Sequence, residues 1–298
     1  MVKWSGVFPA ATTQFKQGGE LDLESTAQHL EAVVESGVQG LVMLGSLGEN
    51  NTLTRDEKLQ VLACANEVAA GRIPVVSGVS ELSTEFACDF VRAAQRQGVD
   101  GFMVLPAMVY HSDRRETLAH FRMVAEASER PIIIYNNPLA YKVDITPEML
   151  SEMALEEKFV AVKESSGDPR RVTDVFNTVG DRYAIFAGVD DLALECALLG
   201  ATGWIAGIGL AFPKENQHLW NLMMAGRWNE AREIYRWYTP LLHLDVGTKF
   251  VQNIKLAIQA VCLGSEWVRR PRLELEGDER DRVLAVIEKG IADRPQLG

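Results

Sequence analysis

The sequence predicts an α/β chain folded as a (β/α)8 TIM barrel with a C-terminal helical domain. Short, nearly continuous apolar runs alternate with longer amphipathic stretches from residue 6 onward, the pattern of parallel strands buried on both faces and joined by helices. There are eight such runs, spaced about 20 to 35 residues apart, which is the number at which a parallel sheet closes on itself. The competing doubly wound sheet is disfavoured because no G-x-G-x-x-G follows the first run.

In chain order, the strand-like runs cover residues 6–12, 38–44, 73–78, 101–105, 131–135, 159–163, 183–187 and 203–208. Helix-like periodicity fills the intervals at 23–35, 54–70, 83–97, 115–127, 146–155, 169–178 and 192–199. Several starts are marked chemically. Thr54-Arg55-Asp56-Glu57 reads as a capping box, and Thr146-Pro147 puts proline at a first helical position. After Pro213 the pattern becomes helical only, at 215–224, 228–238, 249–263 and 279–291. The expected division is a barrel over residues 1–225 and a helical domain over 226–298. Trp220, Trp228, Trp237 and Tyr238 recur at helical spacing and are expected to pack or to meet another subunit rather than to form a cofactor box.

Composition narrows the function. The 298 residues carry 30 Lys+Arg against 41 Asp+Glu, a formal charge of −11. A nucleic-acid or anionic-membrane ligand requires a basic face, and the run Arg269, Arg270, Arg272 is too short to supply one. Cys64, Cys88, Cys196 and Cys262 lie far apart with no C-x-x-C, which argues against a zinc site or redox pair and fits a reducing compartment. Met1-Val2-Lys3-Trp4-Ser5 leads into the first run without the apolar region of a signal peptide, so a cytoplasmic location is expected. The charge-free stretch 197–212 is shorter than a spanning helix and holds four glycines; it reads as buried barrel.

Chemistry in such a barrel gathers at the C-terminal ends of the strands. The sixth run ends in Lys163, a lysine closing an otherwise apolar strand. Inside the barrel, desolvation would lower its pKa and leave an amine able to attack a carbonyl; at the rim it would instead reach solvent or pair with Glu164. The fifth run ends in Tyr135, one strand away, where a phenol would relay protons or simply satisfy its hydroxyl in the core. The loop Gly45-Ser46-Leu47-Gly48-Glu49-Asn50 offers a hydroxyl and consecutive N–H groups to a carboxylate, or is only a tight turn. Gly207-Ile208-Gly209 lies where barrels often bind phosphate, although packing explains those glycines as well. Tyr110, His111 and Tyr141 stand in loops near the mouth. Asp190 and Asp191 would bind substrate hydroxyls, or Asp190 would cap the next helix. Glu49 would act as a base or brace its turn.

Taken together and in order, these motifs resemble the dihydrodipicolinate synthase and N-acetylneuraminate lyase family of Schiff-base class I aldolases. Residues 6–13 look like its opening strand, Gly45 to Glu49 its G-[ST]-x-G-E, Tyr135-Asn136-x-Pro138 its Y-N-x-P, and Lys163-Glu164 its lysine signature. The resemblance implies a barrel with a helical C-terminal domain, a homo-oligomer (tetramer or dimer), no metal and no organic cofactor. It implies that Lys163 forms the imine, that Tyr135 relays the proton and that Ser46 holds the carboxylate of a small-molecule 2-oxo acid. Leu47, Gly48, Asn137, Gly188, Ile205 and Gly207 are the expected substrate wall.

Three departures separate the chain from a lysine-biosynthetic synthase of that family. Leu47 takes the second hydroxyl position of G-T-T-G-E, Pro106-Ala107-Met108-Val109 replaces P-Y-Y-N, and Ala140 stands where an arginine follows Y-N-x-P. The chain is more similar to the 1-pyrroline-4-hydroxy-2-carboxylate deaminases of hydroxyproline catabolism, which act on a cyclic imine carboxylate. The alternatives are a 2-keto-3-deoxy sugar acid dehydratase or aldolase, a 4-hydroxy-tetrahydrodipicolinate synthase, a barrel that binds a phosphorylated ligand without covalent catalysis, and a non-catalytic metabolite sensor.

Overall fold

A computed structural model describes residues 3–297; Met1, Val2 and Gly298, and with them the first two residues of the expected start, lie outside the described residues. Eight parallel strands form one sheet: β1 (Gly6–Val7), β2 (Leu41–Met43), β3 (Val75–Val79), β4 (Gly101–Val104), β5 (Ile132–Asn136), β6 (Phe159–Glu164), β7 (Ala184–Ala187) and β8 (Gly203–Trp204). From β2 to β8 each strand pairs with its sequence neighbour, and β8 pairs with β1. The Ala10–Val42 bridge closes the ring, with the Ala11 amide donating to the Val42 carbonyl at 2.8 Å and the Val42 amide to the Pro9 carbonyl at 2.9 Å. All strand residues except Ala184 are buried, because helices cover the outer face while side chains fill the inner one.

Among the described residues, twelve α-helices accompany the strands. Those between strands are α1 (Leu23–Glu35), α2 (Arg55–Ala69), α3 (Thr84–Ala94), α4 (Arg114–Ala127), α5 (Pro138–Tyr141), α6 (Pro147–Met153), α7 (Arg170–Val179) and α8 (Ala193–Leu198). The predicted capping box at Thr54–Glu57 is formed, and Thr146 caps α6. Two strands are shorter than their apolar runs for identifiable reasons. Pro9 has no N–H to give to a ladder, and the amides of Gly207 and Ile208 donate to the Asp190 carboxylate instead of to β1. Helix α5 was not legible from periodicity because it has a single turn; Asn137 Oδ1 caps it by accepting from the Ala140 amide at 2.9 Å, with Pro138 at its first position.

The remaining helices are α9 (Pro213–Met224), α10 (Trp228–Leu242), α11 (Phe250–Ala260) and α12 (Gly277–Ala292). The turn at Ala225–Arg227, where the division between barrel and helical domain was expected, is crossed by one continuous apolar core. α10 packs on both α9 and α12. Trp237 stacks on Tyr238 at 5.2 Å between ring centroids and donates to the Gly290 carbonyl at 3.0 Å, while Trp220 and Tyr238 are buried, so these aromatics pack. Among the described residues no helix is long and apolar enough to cross a membrane.

One buried ion pair ties the C-terminal helices to the barrel. Lys255 on α11 donates to Glu49 Oε1 at 2.8 Å and to the Trp267 carbonyl at 2.7 Å, with both charged side chains fully shielded. Glu49 also accepts from the Arg269 amide at 3.0 Å. Removing one partner leaves an uncompensated buried charge, so Lys255→Met should cost about 3–5 kcal/mol in urea unfolding. Adding Glu49→Met should recover part of that loss, and an additive double mutant would contradict the coupling.

His29 is buried on α1, and its Nε2 lies 3.0 Å from the Leu210 carbonyl. Burial lowers its pKa to about 4. The unfolded chain therefore binds the extra proton first, and stability present above pH 6.5 is lost as pH falls through the window down to about 4. Denaturant titrations at pH 7 and pH 4 should show His29→Gln suffering an acid loss smaller by up to about 3 kcal/mol.

Candidate active site

The C-terminal ends of the strands open into one cavity of about 600 Å³. β5 and β6 pair with Tyr135 opposite Lys163, and in a parallel ladder opposed residues leave on the same face, here the barrel interior. Lys163 Nζ sits 4.2 Å from the centroid of the Tyr135 ring. The lysine is buried and makes no hydrogen bond or ion pair with any described residue. Burial lowers its pKa, while Tyr141, Asp245 and Asp190 oppose that shift. The nitrogen is thus shifted toward the nucleophilic amine. Glu164, the alternative partner for this lysine, leaves on the opposite face, where it accepts from Asn136 Nδ2 at 3.0 Å and from the Ser166 amide at 2.6 Å.

Four hydroxyls, of Ser46, Tyr135, Tyr141 and Ser165, share the cavity with the amine. Asn137 Nδ2 donates to Tyr135 Oη at 3.2 Å. Tyr141, carried by α5, meets the Tyr135 ring edge-on at 5.7 Å and hydrogen-bonds the Ser46 hydroxyl. Burial raises the pKa of both phenols, which keeps them protonated and able to donate. Ser165, two residues past the lysine, lines the cavity with its hydroxyl beside the Tyr135 phenol. The chain thus places a second phenol in the site from α5, although the tyrosine pair after the fourth strand is absent from its sequence.

The loop after β2 forms the opposite wall. Leu44 and Glu49 adopt left-handed φ values of 57° and 55°, an arrangement uncommon outside glycine, Asn and Asp. It leaves the amides of Ser46, Leu47 and Gly48 without an internal acceptor among the described residues. Leu47, Asn137, Gly188, Ile205 and Gly207 all line the cavity. Gly48 is not among the lining residues: a Cβ there would lie 3.0 Å from the Ala11 carbonyl oxygen, so the glycine packs closely against the first strand while its amide stays in the loop.

Other expectations are redirected. The Asp190 carboxylate is fully buried, lies off the cavity wall and does not cap the helix that follows it. It accepts from Trp204 Nε1 at 3.0 Å, from Gly207 N at 3.0 Å and from Ile208 N at 2.9 Å, and burial pushes its pKa up to about 6. The amides that a phosphate would use after β8 are occupied by this internal anion. Asp191 pairs with His243 at 2.8 Å. Glu49 braces its turn through Lys255 rather than serving as a base. Tyr110 is exposed and bonds Glu116, and neither it nor the exposed His111 reaches the cavity.

The C-terminal segment contributes a wall that the sequence did not suggest. Asp245, Val246, Thr248 and Phe250 line the cavity, held there by the His243–Asp191 pair and by Asn253 Nδ2 donating to the Leu244 carbonyl at 2.9 Å. No strand-end motif marks them, because they lie beyond the barrel.

Gly188 gives a test of the constellation. A Cβ there would stand 2.1 Å from Ser165 Oγ and 2.7 Å from Lys163 Cγ, so Gly188→Ala must push the lysine aside. Misplacing a reacting group by about 1 Å costs roughly 10²-fold, and Gly188→Ala should slow imine trapping by that order while melting close to the wild type.

Comparison with known proteins bears on these features. The profile of the dihydrodipicolinate synthetase family matches residues 3–290. A 4-hydroxy-tetrahydrodipicolinate synthase of Ruegeria pomeroyi is 31% identical over 284 residues, covering 95% of this chain and 98% of that protein. The crystal structure of dihydrodipicolinate synthase from Aquifex aeolicus superposes with a TM-score of 0.91 at 30% identity, covering 96% of this chain and 98% of that one. A dihydrodipicolinate synthase from Bacillus anthracis gives 0.93 at 25% identity, covering 99% and 100%.

Proposed function

Because the chain belongs to the dihydrodipicolinate synthetase family, whose members are class I aldolase-type lyases using a lysine Schiff base, we propose that Lys163 forms that imine and that the reaction is deamination of 1-pyrroline-4-hydroxy-2-carboxylate. One observation carries the choice of substrate. Lys163 is the single cationic side chain among the described residues of the cavity wall. Once it is an imine, the Ser46–Gly48 amides can hold one carboxylate and no cation remains for a second. The pyrroline has one carboxylate; aspartate semialdehyde, condensing with pyruvate, brings another.

Lys163 Nζ attacks C2 of the cyclic imine, and the ring nitrogen departs as the C5 amine after taking one proton from the attacking amine and one from the Tyr135 phenol. The Tyr135 phenolate left by that proton transfer removes a C3 proton acidified by the iminium, with Tyr141 and Ser46 holding the other end of the phenol pair. The enamine expels the 4-hydroxyl as water, tautomerisation gives a C5 imine, and hydrolysis at C5 and C2 releases ammonia and 2,5-dioxopentanoate. A cytoplasmic homo-oligomer, dimer or tetramer, belongs to the same reading. In support, the four cysteines are free, and Leu82, Phe86 and Val109 are exposed around the backbone bond from Met108 to Glu81.

The names of the relatives favour a second reading, condensation of pyruvate with aspartate semialdehyde, and one experiment separates the two. Borohydride trapping with pyruvate or the hydroxypyrroline, followed by peptide mapping, should give an adduct on Lys163 that Lys163→Ala lacks while still folding. Tyr135→Phe should slow turnover about 10²–10⁴-fold. Ammonia and 2,5-dioxopentanoate from the hydroxypyrroline support deamination. Faster turnover of pyruvate with aspartate semialdehyde transfers the assignment to the synthase, and a normally active Lys163→Ala overturns both.

A further inference from the structure

The cavity holds one acidic side chain for which the imine chemistry has given no task. Asp245 lies between α10 and α11 and lines the cavity with Gly207, Gly188 and Lys163. Its carboxyl group is pressed against the bend after β8: a Cβ on Gly207 would stand 2.7 Å from Asp245 Oδ1 and 2.9 Å from Oδ2. The glycine therefore admits the carboxyl group to this place. No described residue donates a hydrogen bond to it. Its neighbours Asp190 and Asp191 are committed, the first to Trp204 and the backbone of Gly207 and Ile208, the second to His243. Burial and the nearby Asp190 raise the Asp245 pKa well above the usual carboxylate range, against the pull of Lys163.

Much of the surrounding wall is apolar, including Leu139, Val189, Ile205, Val246 and Phe250. Asp245 is half-buried in that wall, so its carboxyl group remains open to a ligand that enters the cavity. Lys163 and Asp245 share one cavity while their environments push their pKa values in opposite directions, the arrangement that separates a nucleophile from an acid.

Resting on the reading that Lys163 forms the imine, we infer that Asp245 is the general acid for the elimination step, and that the site takes substrates carrying a hydroxyl two carbons from the imine carbon. The step balances within the site. The enamine electron pair between C2 and C3 moves to form the C3–C4 double bond and restores the iminium on Lys163. The C4–O bond breaks, the Asp245 proton passes to the departing oxygen, and water and the Asp245 carboxylate result. The iminium and the Asp245 carboxylate carry opposite charges, so the net charge of the site is unchanged by the step.

The test compares wild type with Asp245→Asn, which keeps the size and removes the acid. Three probes are used: pyruvate for adduct formation, 1-pyrroline-4-hydroxy-2-carboxylate, and its 4-chloro analogue, whose leaving group needs no proton. The expected result is that Asp245→Asn still traps pyruvate on Lys163, still eliminates chloride at near the wild-type rate, and loses water elimination by about 10²–10⁴-fold. Equal loss on all three probes would make Asp245 a structural residue, and no loss on the hydroxy substrate would remove it from catalysis; either result overturns the inference. A wild-type protein that traps pyruvate but eliminates water from no hydroxylated probe also overturns it, while leaving the imine reading intact. Absence of any adduct brings down the imine reading itself.

Discussion

The buried pair between Glu49 and Lys255 is the constraint on which the site depends. Its members lie 206 positions apart, and neither charge can reach water. Burying two opposite charges is tolerable only when their geometry and hydrogen bonds are complete, so the pair fixes the position of the loop after β2 relative to α11. That loop carries Ser46 and its free amides. The turn leading into α11 carries Asp245 and Thr248. One interaction thereby holds two walls of the cavity at a set separation, and it explains why the chain beyond the eighth strand lines that cavity.

Burial then divides the ionisable groups of the cavity by sign. It disfavours whichever form is charged, so the same dry surroundings shift Lys163 toward a free amine and Asp190 and Asp245 toward neutral acids. The two acids differ in their partners. Asp190 has an indole and two backbone amides and serves as an internal strut. Asp245 has none and faces the cavity. Exposure separates them as well, Asp190 being fully buried and Asp245 half-buried.

The barrel was legible in the sequence because its physics is local and periodic. Strands buried on both faces read as unbroken apolar runs, helices as amphipathic ones, and the count of eight fixed the closure. Lys163, Tyr135 and Ser46 were legible for a related reason. A lysine ending an apolar strand is anomalous wherever it points, and a glycine-rich strand end advertises open backbone amides. Less was legible where partners are remote. Asp190 read as a helix cap or a substrate ligand because its amide donors lie 17 and 18 residues further on. Gly207 and Gly209 read as a phosphate cradle for the same reason.

By itself the sequence determined the strand and helix order and the lysine and tyrosine that end neighbouring strands, since each follows from residue type and spacing. Only the tertiary structure decided which face Lys163 takes, that Tyr141 reaches Ser46, that Asp190 occupies the amides after β8, and that Asp245 enters the cavity. These depend on contacts between residues far apart in the chain, and spacing along a chain carries no information about distance once a sheet has closed into a ring.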